Sequence, residues 1–176
     1  MLLKKETFRI QMRDVPVLIL LGLLYTGSAM FLFWGYNFMG AGVATTIHFT
    51  YPIFVTLLMF VFFREKASWI TWLAILLAIA GVAKLSIKGS ELTLDPLGML
   101  IVILSAMAYA SYIIVVNKSR VRSTNGRKLA FYVFIVSTLL FAVKAMSNEG
   151  IRPVPDALSW INLFLLAVVP TVISNI

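Results

Sequence analysis

Six long apolar runs divide this chain, at roughly 15–38, 40–63, 67–87, 96–117, 129–146 and 158–176, and none of them contains an aspartate or glutamate. A hydrocarbon core about 30 Å thick needs about 20 residues of helix at 1.5 Å rise each, and each run is close to that length. Lipid offers no partner for a bare N–H or C=O, so such runs cross as helices that satisfy their backbones internally. The chain is 61% hydrophobic and 12% charged, against about 25% charged in a soluble domain. A compact soluble fold of 176 residues has no place to hide that excess. The expected fold is an all-α integral membrane protein with about six transmembrane helices.

The same residues narrow the chemistry. Cysteine is absent and His48 is the one histidine, so no thiolate or His-based metal site and no cofactor is expected. Two run starts carry helix punctuation: Asp14 with Pro16, and Asp95 with Pro96, pair a capping acid with a proline whose missing N–H costs nothing in the first turn. Gly40 and Gly42 make a tight turn between the first two runs. The segment 117–128 is a polar, basic loop, and 147–157 is a connector with glycine and proline.

Charge gives the orientation. Successive crossings sort the connections alternately onto two faces. The face holding 1–14, 64–66 and 117–128 carries eleven basic residues: Lys4, Lys5, Arg9, Arg13, Arg64, Lys66, Lys118, Arg120, Arg122, Arg127 and Lys128. The other carries four: Lys84, Lys88, Lys144 and Arg152. With Glu6, Asp14 and Glu65 on the first face, the whole net charge of +8 lies on one side. Basic loops stay cytoplasmic, so the N-terminus is expected in the cytoplasm, in a multi-pass protein of the cell (inner) membrane. The charge is then topological and does not point to nucleic acid. Trp34, Trp69, Trp72 and Trp160 lie near run ends, as interfacial belt residues do. The first run is too long for a signal peptide and follows fourteen mostly polar residues.

Residues 35–87 resemble the EamA-like family of the drug/metabolite transporter superfamily. Four features in order carry the resemblance: GAGVATT at 40–46 after a polar-aromatic helix end, Tyr51-Pro52 inside an apolar run, the hinge Arg64-Glu65-Lys66, and the helix ending Ala80-Gly81-Val82. The stretch Asp95 to Lys118 is similar to the opening helix of that family's second repeat. The resemblance implies a ten-helix fold of two inverted five-helix repeats, of which this chain would hold helices three to eight. Residues 1–92 would end the first repeat and 93–176 begin the second. Residues 18–31 align without gaps to 163–176, with Leu18, Leu20, Leu21 and Thr26 matching Leu163, Leu165, Leu166 and Thr171. That 145-residue offset puts the missing counterparts beyond both ends, so the chain reads as a fragment that is transport-incompetent and poorly stable alone.

Carriers of this kind hold substrate near the bilayer midplane, where helices are interrupted. Pro52 lies near the middle of the second run, and its ring nitrogen cannot donate to the carbonyl of His48. Thr45, His48 and Pro52 follow i, i+3, i+7 spacing on one helix face, with Tyr51 at its flank. A polar face in hydrocarbon must point into protein or a water-filled cavity. His48 is either a substrate or proton site or a packed histidine beside a kink. Tyr25, Tyr109 and Tyr112 either line the same cavity or pack as ordinary aromatics. The candidate substrate-binding residues are therefore Tyr25, Thr45, His48, Tyr51 and Tyr109, with Pro52 as the helix kink. Ala74/Ala78 and Ala106/Ala110 are small pairs for close helix packing. The basic loop 117–128 either fixes topology or holds an anionic lipid or nucleotide.

The function expected is transport of a small organic solute (amino acid, metabolite or drug-like compound). The alternative is a non-transporting assembly or scaffold subunit. An intramembrane enzyme would need clustered catalytic groups, and one histidine without cysteine or an intramembrane carboxylate does not supply them. Expected partners are the small-molecule substrate and the lipid bilayer, with a homodimer permitted and no nucleic acid.

Overall fold

The computed structural model describes residues 10–66, 68–88, 95–147 and 156–173. Among them all regular structure is helical: α1 Val15–Gly35, α2 Ala41–His48, α3 Tyr51–Phe63, α4 Trp69–Lys88, α5 Pro96–Lys118, a 3-10 turn Arg120–Ser123, α6 Gly126–Ser147 and α7 Ala157–Ile173. The expectations for Lys4, Lys5, Arg9, Arg152 and most of the connectors 88–95 and 147–157 fall outside the described residues.

Four described runs are long and apolar enough to cross a bilayer: Val15–Gly35, Ala41–Phe63 taken across the α2–α3 break, Pro96–Lys118 and Gly126–Ser147. In α4 the apolar stretch Trp69–Ala78 is shorter, and α7 has 17 residues. Large apolar side chains face outward, with Phe62 73% and Leu139 62% exposed, which water would penalise and lipid does not. The chain is an all-α integral membrane protein.

Local chemistry sets the helix ends, and in two places it departs from the sequence reading. Asp95 caps α5 as expected, its Oδ1 accepting from the Leu97 N–H at 2.8 Å. Asp14 does not cap α1. Its N–H already closes a turn on Gln11 O, and its φ of -92° and ψ of -17° are helical, whereas a capping side chain needs the extended backbone that aims it at the next N–H groups. The basic loop is shorter than expected. Asn125 ends it, its side chain accepting from the Arg127 N–H at 3.0 Å, so α6 starts at Gly126.

Three connections expected on one face meet at one end of the bundle. Arg13, Arg120 and Lys128 border a common cavity. Lys118 Nζ pairs with Glu65 Oε1 at 2.6 Å and lies 4.9 Å over the Phe63 ring. The α3 end is tightened by Arg64 at φ 53°, a left-handed C-cap that sends its N–H to Met59 O.

Helix α5 is the hub, packed by α1, α2 and α3, while α6 lies on α1. Bare α-carbons allow the approach: a Cβ on Gly35 would collide with Val102 of α5, and one on Gly22 with Val136 of α6. Ala106 and Ala110 are fully buried in the same hub, whereas Ala74 of α4 is exposed. Two buried clusters result. Leu18, Leu21, Val121, Leu129 and Val133 fill the basic end, and Met39, Ala44, Ile47 and Val102 fill the other. Between them lies a polar layer.

Candidate functional site

The break between α2 and α3 builds one wall of that layer. Pro52 has no N–H to continue the helical ladder, and the chain compensates by tightening two residues earlier. Thr50 donates both its N–H, at 3.0 Å, and its hydroxyl, at 2.7 Å, to Ile47 O. His48 is thereby the last residue of α2, and Tyr51 opens α3. The turn at the break also changes which side chains share a face. Pro52 itself is exposed, and Tyr51 takes the inward position beside His48.

The wall opposite is α1 and α5. Ser105 stands about 14 Å along α5 from Pro96 at 1.5 Å per residue, well inside the span. Its hydroxyl donates to Ser28 O at 2.7 Å, and the Ser28 hydroxyl donates to Ser105 O at 2.9 Å. His48 Nδ1 is 2.9 Å from Ser105 Oγ. Carbonyl oxygens only accept, and each hydroxyl has one proton, so both serine protons are committed. With the serine protons on the carbonyls, Nδ1 supplies the hydrogen to Ser105 Oγ. That assignment corresponds to the neutral Nδ1–H tautomer, with Nε2 left as an acceptor. All three side chains are buried, at 8% for His48, 2% for Ser28 and 0% for Ser105.

Tyr25, Thr45, His48, Tyr51 and Tyr109 all border one cavity of about 360 Å³, together with Ser28, Ala29, Leu32 and Phe49. Tyr51 meets the Tyr109 ring edge-on, centroids 4.7 Å apart, and the Tyr109 ring lies 5.6 Å from that of His48. Tyr112 stacks on Tyr109 at 5.7 Å and contacts Tyr25 at 5.8 Å; it does not border the cavity. Thr45 Oγ1 is bonded to Tyr36 OH at 3.2 Å.

Ser28, Ser105 and Tyr36 are the polar members that the sequence reading passed over. A periodic signal was present. Ser28 follows Tyr25 by three residues, and Ser105, Tyr109 and Tyr112 keep i, i+4, i+7 spacing, one face of a helix in each case.

The described lining offers hydroxyls, ring faces and one imidazole acceptor, with no carboxylate and no ammonium. No group of three potential metal ligands exists among the described residues. Nor does the His48–Ser105 pair have the arrangement of a base and nucleophile. A general base accepts the serine proton and is itself oriented by a third group, whereas here the imidazole donates and the serine proton is held by a carbonyl.

Comparison with known proteins agrees with a membrane transporter. Residues 1–87 match the EamA-like transporter family. The chain is 28% identical over 104 residues to the uncharacterized transporter YdfC of Bacillus subtilis (strain 168), covering 58% of this chain and 34% of that protein. It is 30% identical over 122 residues to the uncharacterized transporter sll1319 of Synechocystis sp. (strain ATCC 27184 / PCC 6803 / Kazusa), covering 66% of this chain and 37% of that protein. The chain thus spans about a third of the length of these curated relatives. No solved structure matches it.

Proposed function

As residues 1–87 make this chain a member of the EamA-like transporter family, we propose that it forms part of a carrier that moves a small organic solute across the cell membrane by alternating access. The solute is an amino acid, a metabolite or a drug-like compound of similar size. One observation carries the reading: Tyr25, Thr45, His48, Tyr51 and Tyr109, drawn from three helical spans, border one cavity beside a helix break. Interrupted helices at the repeat interface are where such carriers bind substrate.

In this reading 1–92 completes the first inverted repeat and 93–176 opens the second. The basic end of the bundle faces the cytoplasm. Substrate hydroxyl or amine protons go to His48 Nε2, and the tyrosine rings cover the apolar part. The serine clamp meets internally the hydrogen-bonding needs of Ser28 and Ser105 beside the cavity.

The test is solute uptake into proteoliposomes by the protein as its gene encodes it, screened against a metabolite panel. His48→Leu is expected to retain expression and monodispersity while losing most uptake. A well-folded His48→Leu protein that transports like wild type would overturn the site. Absence of any uptake or ligand-induced stabilisation in wild type would leave a scaffold subunit as the better account.

A further inference from the structure

The basic end of the bundle holds a second cavity, apart from the one beside His48. It has a volume of about 610 Å³ and lies between the residues leading into α1 and the turn from α5 to α6. Among the described residues three cations border it, Arg13, Arg120 and Lys128, and one acid, Asp14. Ser123, Thr124 and Asn125 add neutral polar groups. Its described lining is net positive, at the level where the apolar spans begin.

An apolar groove adjoins it. A hollow of about 570 Å³ runs between α1 and α6, bordered by Val15, Ile19, Tyr132, Ile135 and Val136. Ile10 and Leu18 border both cavities, so the charged chamber and the groove lie side by side. Val15 to Ile19 and Tyr132 to Val136 are each one helical turn, so the groove follows the helices for about 6 Å or more into the hydrocarbon. A positive polar head space beside an apolar channel along the bilayer normal is complementary to one class of molecule.

We propose that the two cavities form a binding site for a single anionic phospholipid, its phosphate held by Arg13 and Arg120 and one acyl chain lying in the groove between α1 and α6. Guanidinium forks match phosphate oxygens in pairs, and Lys128 adds to the positive field. A zwitterionic headgroup brings a cation into a lining that is already positive, which gives the site its selectivity. The site is separate from the His48 cavity and stands whether or not that cavity binds a transported solute.

The experiment is native mass spectrometry of the protein, as its gene encodes it, released from detergent with graded phosphatidylglycerol, phosphatidylcholine or glycerol phosphate. Wild type is expected to retain one phosphatidylglycerol about tenfold better than phosphatidylcholine, the scale of one to two basic contacts at a membrane surface. R13Q/R120Q should bring the two lipids level, and Ile19→Trp, at a position 47% exposed, should block the groove and release the lipid. Asp14→Asn should raise phosphatidylglycerol retention; its side chain makes no capping bond, so this variant decides the matter if the double variant does not fold. Equal retention of both lipids by wild type would mean an unselective annulus and would overturn the proposal. So would unchanged retention in Asp14→Asn or in a folded R13Q/R120Q, or glycerol phosphate binding as tightly as the whole lipid.

Discussion

Ser28 and Ser105 each give a hydroxyl proton to the other's backbone carbonyl, at 2.9 and 2.7 Å, so α1 and α5 are joined by a reciprocal clamp. The clamp has unequal halves, because Ser105 Oγ also receives His48 Nδ1 at 2.9 Å. Ser28→Ala removes one donor whose partner carbonyl remains within a helix. Ser105→Ala in addition strands the imidazole N–H. Hydrogen bonds between membrane helices average about 0.6 kcal/mol, up to about 1.7, and an unpaired buried donor costs about 1–3 kcal/mol. Ser28→Ala is therefore expected to destabilise by under about 1 kcal/mol and Ser105→Ala by about twice that or more. Reversible unfolding in mixed detergent micelles, run as a double-mutant cycle, measures both; equal single-mutant losses would contradict the shared role of Ser105.

The tautomer of His48 can be observed directly. The chain has a single histidine, so ring-15N labelling gives one pair of nitrogen signals with no assignment problem. In the neutral form Nδ1 is expected to carry the proton and Nε2 to show the unprotonated shift. In Ser105→Ala that preference should weaken. A protonated Nε2 in wild type would mean that the serine donates to the ring and that the cavity meets an N–H donor.

Thr26 and Ser28 are two residues apart on α1, both 2% exposed, yet only Ser28 has its hydroxyl satisfied. Thr26 Oγ1 is buried without a hydrogen-bond partner. Replacing an unsatisfied polar group by an apolar one of the same shape is neutral or favourable. Thr26→Val should hold or raise stability, by up to about 1 kcal/mol, where Ser28→Ala lowers it. A clear loss in Thr26→Val, read from thermal unfolding in detergent, would show that the hydroxyl has a partner after all.

Asp156 starts α7 through one well-placed acceptor. Its Oδ1 takes the Ser159 N–H at 2.6 Å, and that backbone bond holds the carboxyl below its ordinary range. A depressed folded value means the cap stabilises above the unfolded pKa and is lost as pH falls through the folded one. Helix α7 should therefore fray on acidification below the usual carboxylate range, and Asp156→Asn should flatten that dependence. Amide exchange at Leu158 and Ser159 as a function of pH provides the measurement.

The four long spans were legible in the sequence because crossing a bilayer depends on run length and polarity, which can be read along the chain. The union of Tyr25, Thr45, His48, Tyr51 and Tyr109 around one cavity comes from placing polar groups away from lipid. What the runs do not encode openly is which face of one helix meets which face of another. Pro52 illustrates this. Its spacing from His48 is right for a continuous helix, but the tightened turn at Thr50 rotates α3 relative to α2, and Tyr51 takes the inward place. Asp14 shows the same limit at shorter range: a capping residue type is readable, while the backbone angle that lets it cap is set by the turn from Gln11. Ser28 and Ser105 are single small polar residues in apolar helices, and only their mutual position gives them a role.

In the carrier reading, the break at Thr50 serves α3 as a fulcrum beside the cavity. Helix α2 is fixed on one side by buried Ala44, Ile47 and His48, whereas α3 has no buried residue along its 13. At its far end α3 is tethered to α5 by the Lys118–Glu65 pair, whose side chains are 35% and 51% exposed, a bond of modest strength at such exposure. A swing of about 10° about the fulcrum moves Phe63 by about 3 Å over an arm of about 20 Å and moves Tyr51 by well under about 1 Å. In that reading the end that parts to admit or release a solute travels several times as far as the residues beside His48 that hold it.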